Sequence, residues 1–200
     1  TVCIDIPIGL SSDGFRACDQ AARQLLGKRS SSVFSVPPRL ALAPLSYAEI
    51  NLQSKTQCGK GVSKQAFYLL PKIRETETLL RASDGDSLDW LETHPELCFS
   101  GLNGGVPMED NKKTDAGYRE RRRILAFHIS APTTDRLVQN LMTAVPRAQC
   151  ARDDMMDALV CGVVASLDAT HRDCLPLGKQ EFDEVGLPMR ICYPLPDAFE

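Results

Sequence analysis

The stretch ARDDMMDALVCGVVASL, residues 151–167, restricts the possible folds of this chain more than any other. After Asp157 it is apolar on nearly every face of a helix, so neighbouring elements must cover it on most sides. Its first turns nevertheless carry three carboxylates, Asp153, Asp154 and Asp157. Asp154 and Asp157 are three residues apart, share a face and can converge on one point. Asp153 points about 100° away from Asp154 and is expected in solvent. Acids at a helix N-terminus cap free N–H groups and interact favourably with the dipole. That accounts for Asp153, partly for Asp154, and poorly for Asp157, which lies about a turn further in.

A buried helix needs a core to pack on, and 200 residues suffice for one domain, expected to span 1–200. The 43% hydrophobic and 24% charged content is that of a globular chain. A net charge of −3 leaves no polybasic footprint over the whole chain. The eight cysteines include no CxxC pair, and no His stands at a zinc-finger spacing from them. Several sit in apolar runs (TVCI, DALVCGVV, MRICYP), so reduced, mostly buried thiols are expected. No signal peptide and no apolar run of about 18 residues is visible, so the expected location is cytoplasmic, with no membrane partner.

The chain opens with TVCIDI, which reads as a strand buried on both faces, typical of a parallel sheet. Beginning almost inside a strand predicts that further sequence lies upstream. Helices are expected over residues 12–27, with Ser12 or Asp13 as cap and Gly27 as stop, and in the SYAEINLQSKTQCGKG stretch. A long helical pattern, SKQAFYLLPKIRETETLLRAS, contains Pro71, which is expected to bend it. SLDWLETHPE gives a short strand stopping at Pro95, and residues 101–117 are loop by composition. YRERRRILAFHI and TTDRLVQNLMTAV follow as helices, then the acidic helix over roughly 152–170, and LPMRICYP as a last strand. Strands alternating with helices predict an α/β layered fold.

In such sheets ligands bind beyond the carboxyl ends of the strands. Asp5 and Glu92 stand there. An acid in an apolar strand is costly unless paired or metal-bound. Convergent carboxylates repel one another, and a divalent cation relieves that repulsion. Mg²⁺ takes oxygen ligands, keeps several waters and commonly binds substrate phosphates. Two such ions can hold the attacking and leaving oxygens of a phosphodiester displacement. Asp5, Asp154 and Asp157 are therefore the candidate ligands, with Glu92 in support. In ETHPE, Pro95 is expected to start a short helix with Glu96 in its first turn; His94 is left without a role. Basic side chains of Arg16, Arg23, Arg29, Arg39, Lys112 and Lys113, on loops and helix ends, would suit a phosphate backbone. The RERRR run, residues 119–123, reads equally as a solvated helix face. No P-loop, GxSxG, GxGxxG or HExxH is present.

Six segments occur in order: IDIPIGL; RxxDxxARxxLGxR followed by SSVFSVPPR; ETHPELCF; KKTDAGYRERRRIL; DDMMDAL; and GLPMRICYP. In these the chain resembles the domain-of-unknown-function family 429, predicted nucleases of the RNase H-like fold. The resemblance implies a mixed sheet flanked by helices, with acids at its centre. Within it DDMMDAL looks like the C-terminal helix of Holliday-junction resolvases, which carries acids of the metal site. IDIPIGL looks like a strand supplying another acid. Asp5, Asp154 and Asp157 are then metal ligands or their support. Members of the family usually begin with a strand bearing an Asp and a hairpin, and this chain has no equivalent. The first strands are thus expected to be missing, leaving an exposed strand edge that favours pairing between chains.

The resulting expectation is a Mg²⁺- or Mn²⁺-dependent, two-metal nuclease hydrolysing phosphodiesters of nucleic acid. The rival is a non-catalytic RNase H-like binding module. A third reading, action on a nucleotide or phosphorylated small molecule, lacks a recognisable glycine-rich phosphate loop.

Overall fold

The computed structural model describes residues 1–82, 88–146 and 148–196. Strand β1 (Val2–Ile4) pairs in parallel with β2 (Trp90–Glu92), with Cys3 opposite Leu91 and Ile4 opposite Glu92. Beyond β2, Thr93 bridges in parallel to Cys192 of β4 (Ile191–Pro194). β4 in turn pairs antiparallel with β3 (Arg172–Leu175). The four strands thus run in the order β1-β2-β4-β3, and among the described residues β1 has a strand neighbour on one side only.

Seven helices were found among the described residues: α1 (Ala17–Leu26), α2 (Tyr47–Cys58), α3 (Lys64–Ala82), α4 (Pro95–Leu102), α5 (Asp115–Ile129), α6 (Ala131–Ala144) and α7 (Arg152–Ser166). They cover the strands from both sides. On one side α7 packs on β1 and α4 and is backed by α5 and α6, joining Phe99, Leu125, Val138, Met156, Val160 and Val164 in one core. That is how the all-round apolar helix is covered. On the other side Ile191 and Tyr193, two apart and so on one face of β4, meet Cys18, Ala22 and Leu26 of α1. A third core joins α2 and α3 to the 33–45 segment through Val36, Ala41, Ile50, Ala66 and Ile73. The result is a mixed α/β fold. No described helix is long and apolar enough to cross a membrane.

Several elements depart from the sequence reading, each for a tertiary reason. The first helix starts at Ala17, not near Ser12, because Ser12 donates to Glu184 and Leu10 N–H to Asp183, tying this stretch across the fold. β1 is half-buried rather than enclosed, because among the described residues one of its edges has no strand neighbour. α7 ends at Ser166, short of the expected 170, and Ala169–His171 form a 3-10 turn that leads into β3. The long helix ends at Ala82, and Ser83 and Ser87 of the sequence reading lie outside the described residues. Two of the cysteines expected to be reduced are bonded: register places Cys174 opposite Cys192, and the two form a disulfide with Cα atoms 4.0 Å apart. Cys3, Cys18, Cys58, Cys98, Cys150 and Cys161 are free thiols.

Candidate functional site

The carboxyl ends of β1 and β2 open into a cleft of about 660 Å³. It is lined by Asp5, His94, Arg29, Ser32, Lys112, Lys113 and Asp154 among others. A second hollow of about 440 Å³ runs between β1 and α7, lined by Cys3, Asp157, Ala158 and Cys161. Asp5 and Asp154 line both, so the two adjoin.

Local structure explains how the acids reach this place. Asp5 follows the last residue of β1, where the strand leaves the sheet. Water reaches its side chain, yet protein crowds it closely. That crowding, together with Cys161 and Asp157 opposite, pushes its carboxyl up to about 8, against the pull of Lys112. Asp157 sits in the second turn of α7 and is buried. Burial raises its carboxyl too, more than its partner Lys112 lowers it. The Lys112 ammonium lies 2.5 Å from Asp157 Oδ2. It also feels Asp153 and Asp5. Asp157 thus disfavours charge on Asp5, and one ammonium stands beside Asp157.

The remaining acids of α7, Asp153 and Asp154, both line the cleft. Asp154 is exposed and accepts the N–H of Ala151 at 3.0 Å, so it is the capping residue of the helix. Asp153 is half-buried and lines the cleft near Lys112. Among the described residues no three His, Cys, Asp or Glu side chains converge closely enough to hold a metal ion. The trio Asp5, Asp154 and Asp157 is therefore not gathered into a three-ligand cage.

Glu92 does not face the cleft as a free acid. Its carboxylate takes both terminal nitrogens of Arg16, at 2.6 and 2.7 Å, and the N–H of Ile8 at 2.6 Å. Arg16 is 1% exposed, and it also binds Asp19 at 2.5 Å and the carbonyl of Ile8. This buried network fixes the turn after β1 against β2 and α1, and so aims Asp5. Arg16 is thereby unavailable to a phosphate, contrary to the sequence reading. Arg23 donates to the carbonyl of Val33. Arg39 is held by Glu77 and Asp183. Neither lines the cleft. Of the six basic candidates, Arg29, Lys112 and Lys113 line the cleft with groups not wholly engaged. Arg29 touches Glu96 at 3.6 Å and the carbonyl of Asp110 at 3.3 Å.

Sequence reasoning missed three acids that tie distant segments together. Asp19 accepts from Arg16 and from Val36 N–H. Glu96 binds Arg121, which is 1% exposed, at 2.5 Å, tying α4 to α5. Asp183 accepts from Leu10, Val185 and Leu187 N–H and from Arg39. The Arg16–Asp19 spacing was readable as an i,i+3 pair, but the others join residues far apart in sequence. Arg121 belongs to the run read as a solvated face; one of its arginines is in fact buried. His94 Nε2 lies 3.3 Å from Ser32 O, and burial lowers its pKa from the usual range.

Residues 1–181 match the sequence profile of a family described as "Protein of unknown function (DUF429)". The chain belongs to the DUF429 family. The DUF429 match takes in β1 to β3, all seven helices and every cleft residue named above, and it ends before β4. No curated protein and no solved structure matches the chain.

Proposed function

We propose that this DUF429 chain is a divalent-cation-dependent phosphodiester hydrolase acting on nucleic acid, built on an RNase H-like arrangement. The observation that carries the reading is Asp5, which lines both the cleft that Arg29, Lys112 and Lys113 line and the adjoining hollow that Asp157 lines. The parallel β1-β2 pair with an acid at its carboxyl end and α7 packed against it supports the fold assignment.

The residues fit a hard cation in a limited sense. Two crowded carboxyls with raised pKa values are a donor set that a single Mg²⁺ or Mn²⁺ satisfies, since such ions keep waters and complete their shell with substrate phosphate. Asp5 and Asp157 would hold it, with Asp153 nearby. A two-metal scheme needs more donors than the described residues bring together. When bound, the ion supplies Lewis-acid polarisation of a phosphoryl oxygen. The chain's own side chains do the rest. Arg29 and Lys113 hold the phosphodiester backbone by charge and set its register. The Arg16–Glu92–Asp19 network keeps Asp5 in place while the substrate enters.

The test is hydrolysis of single- and double-stranded DNA and RNA with millimolar Mg²⁺ or Mn²⁺, comparing the wild type with Asp157→Asn. We expect cleavage that needs the cation and falls at least a hundredfold in the variant, while the melting temperature holds within a few degrees. Undiminished turnover by Asp157→Asn would refute the assignment.

The binding-module reading has one observation in its favour: Asp157 already carries a partner in Lys112. It predicts nucleic-acid binding that weakens steeply with salt and is indifferent to the cation.

A further inference from the structure

The loop that carries Lys112 is fixed at its base. Thr114 caps α5 by accepting the N–H of Gly117 at 3.0 Å, and Thr114 Oγ1 donates to the carbonyl of Asn111 at 2.8 Å. Asn111 Oδ1 accepts the N–H of Lys113 at 3.0 Å. A Cβ on Gly117 would stand 2.1 Å from the Asn111 carbonyl oxygen, so glycine permits this closure. The backbone at Lys112 is therefore held, and what remains free to move is its four-carbon stem.

That stem places an ammonium among acids. Its Nζ lies 2.5 Å from Asp157, and its charge is favoured further by Asp153 and Asp5. The Lys112 side chain keeps about a third of its surface in water (34%), while Asp157 keeps 12%. A side chain so exposed can leave. The carboxylate it covers cannot re-solvate as readily. Lys112 also lines the larger cleft beside Lys113 and near Arg29, so a phosphate arriving there meets the same ammonium.

We propose that Lys112 is a resident counter-cation that competes with a divalent ion for Asp157 and is drawn off it by the phosphate of an incoming nucleic acid. The inference rests on the reading above that Asp157 faces a bound cation. The Lys112 ammonium lies 2.5 Å from Asp157 Oδ2, and its positive charge repels a divalent ion approaching the same carboxylate. Cation binding is therefore favoured when the Lys112 stem swings aside. An anionic ligand in the cleft offers that ammonium a new partner, so phosphate and cation bind with positive coupling. Without substrate the acids stay neutralised, and with substrate they become available. The substrate class that would operate the exchange is a phosphodiester chain, whose successive anions reach Lys112, Lys113 and Arg29 together.

Mn²⁺ binding to the full chain, followed by titration calorimetry, tests this for the wild type, Lys112→Met, Lys112→Gln, Asp157→Asn and the Lys112→Met/Asp157→Asn double variant. Far-ultraviolet circular dichroism checks that each is folded, and the Gln variant serves if Met disturbs the loop. The expected result is a Mn²⁺ affinity about tenfold or more higher on losing Lys112, a gain that disappears in the double variant. A phosphorothioate oligonucleotide, corrected for its own Mn²⁺ uptake, then tightens wild-type binding but not that of Lys112→Met. Equal or weaker Mn²⁺ binding by both Lys112 variants, alongside loss in Asp157→Asn, overturns the counter-cation role and leaves the cation site standing. An equal tightening by the oligonucleotide in wild type and Lys112→Met overturns the exchange. No Mn²⁺ binding by any variant overturns both this inference and the functional reading beneath it.

Discussion

Glu92→Gln separates a structural acid from a catalytic one, and the structure sets its size. Glu92 is 5% exposed and accepts three hydrogen bonds: two from Arg16, at 2.6 and 2.7 Å, and one from Ile8 N–H at 2.6 Å. A glutamine has the same outline but one oxygen. Its NH₂ then faces an N–H of Arg16 in either orientation, and that of Ile8 as well in one of them, donor against donor. Arg16, 1% exposed, would keep Asp19 but lose half its neutralising charge. Breaking a buried pair by removing one partner costs about 3–5 kcal/mol. For a chain of this length each kcal/mol lowers Tm by about 2–4 °C, so a fall of about 6–20 °C is expected. Differential scanning calorimetry in metal-free buffer measures it. Arg16→Met should cost a similar amount, and the Arg16→Met/Glu92→Gln double variant should lose clearly less than the sum, because neither charge is then left alone. A Glu92→Gln protein melting within about 2 °C of wild type would refute the reasoning. If it also lost activity, Glu92 would belong to the chemistry after all.

Two further outcomes follow from the same geometry. Gly117→Ala places a Cβ 2.1 Å from the Asn111 carbonyl oxygen, which cannot yield without moving the backbone beside Lys112. A loss of about 1–3 kcal/mol is expected, together with a change in Mn²⁺ affinity, whereas Gly162→Ala, with open space at its Cβ, should leave Tm unchanged or slightly higher. His94 has its pKa lowered, first by burial, so the unfolded chain takes up its proton at a higher pH than the folded one. Stability from this group is present above the unfolded value of about 6.5 and is lost as pH falls below it toward the folded value. Melts between pH 5 and 7 should therefore show a steeper acid loss in the wild type than in His94→Gln, and parallel curves would count against it.

What could be read from the sequence was what local spacing decides. The apolar run after Asp157 demanded a covered helix, and α7 is covered by β1, α4, α5 and α6. Pro95 announced the start of α4, and Gly27, at φ 48°, the end of α1. What could not be read were choices made by residues far along the chain. Ser12 and Asp13 look like a cap, but Asp183 and Glu184 claim the stretch around them. RDCL has little strand character of its own and becomes β3 because ICYP lies beside it. Asp154 rather than Asp153 caps α7, a difference of one residue that depends on how the chain enters the helix.

The basic residues show the same division most clearly. From sequence, Arg16, Arg23, Arg39 and Lys112 are alike: cations near loops. In the fold each is defined by the group it reaches. Arg16 finds an acid 76 residues away, and Arg39 one 144 residues away. Arg16 is enclosed and Arg39 largely covered, and both act as bolts between segments. Lys112 finds Asp157 45 residues away, but at the mouth of a cleft and with a third of its side chain in water. An enclosed guanidinium with two or more acceptors costs several kcal/mol to release. A partly solvated ammonium with one close partner costs far less, because water and a phosphate are both available to receive it. Exposure of the pair, rather than the presence of the charge, therefore decides which cations hold the protein together and which are free to answer a ligand. By that criterion Lys112, not Arg16 or Arg39, is the cation to mutate first.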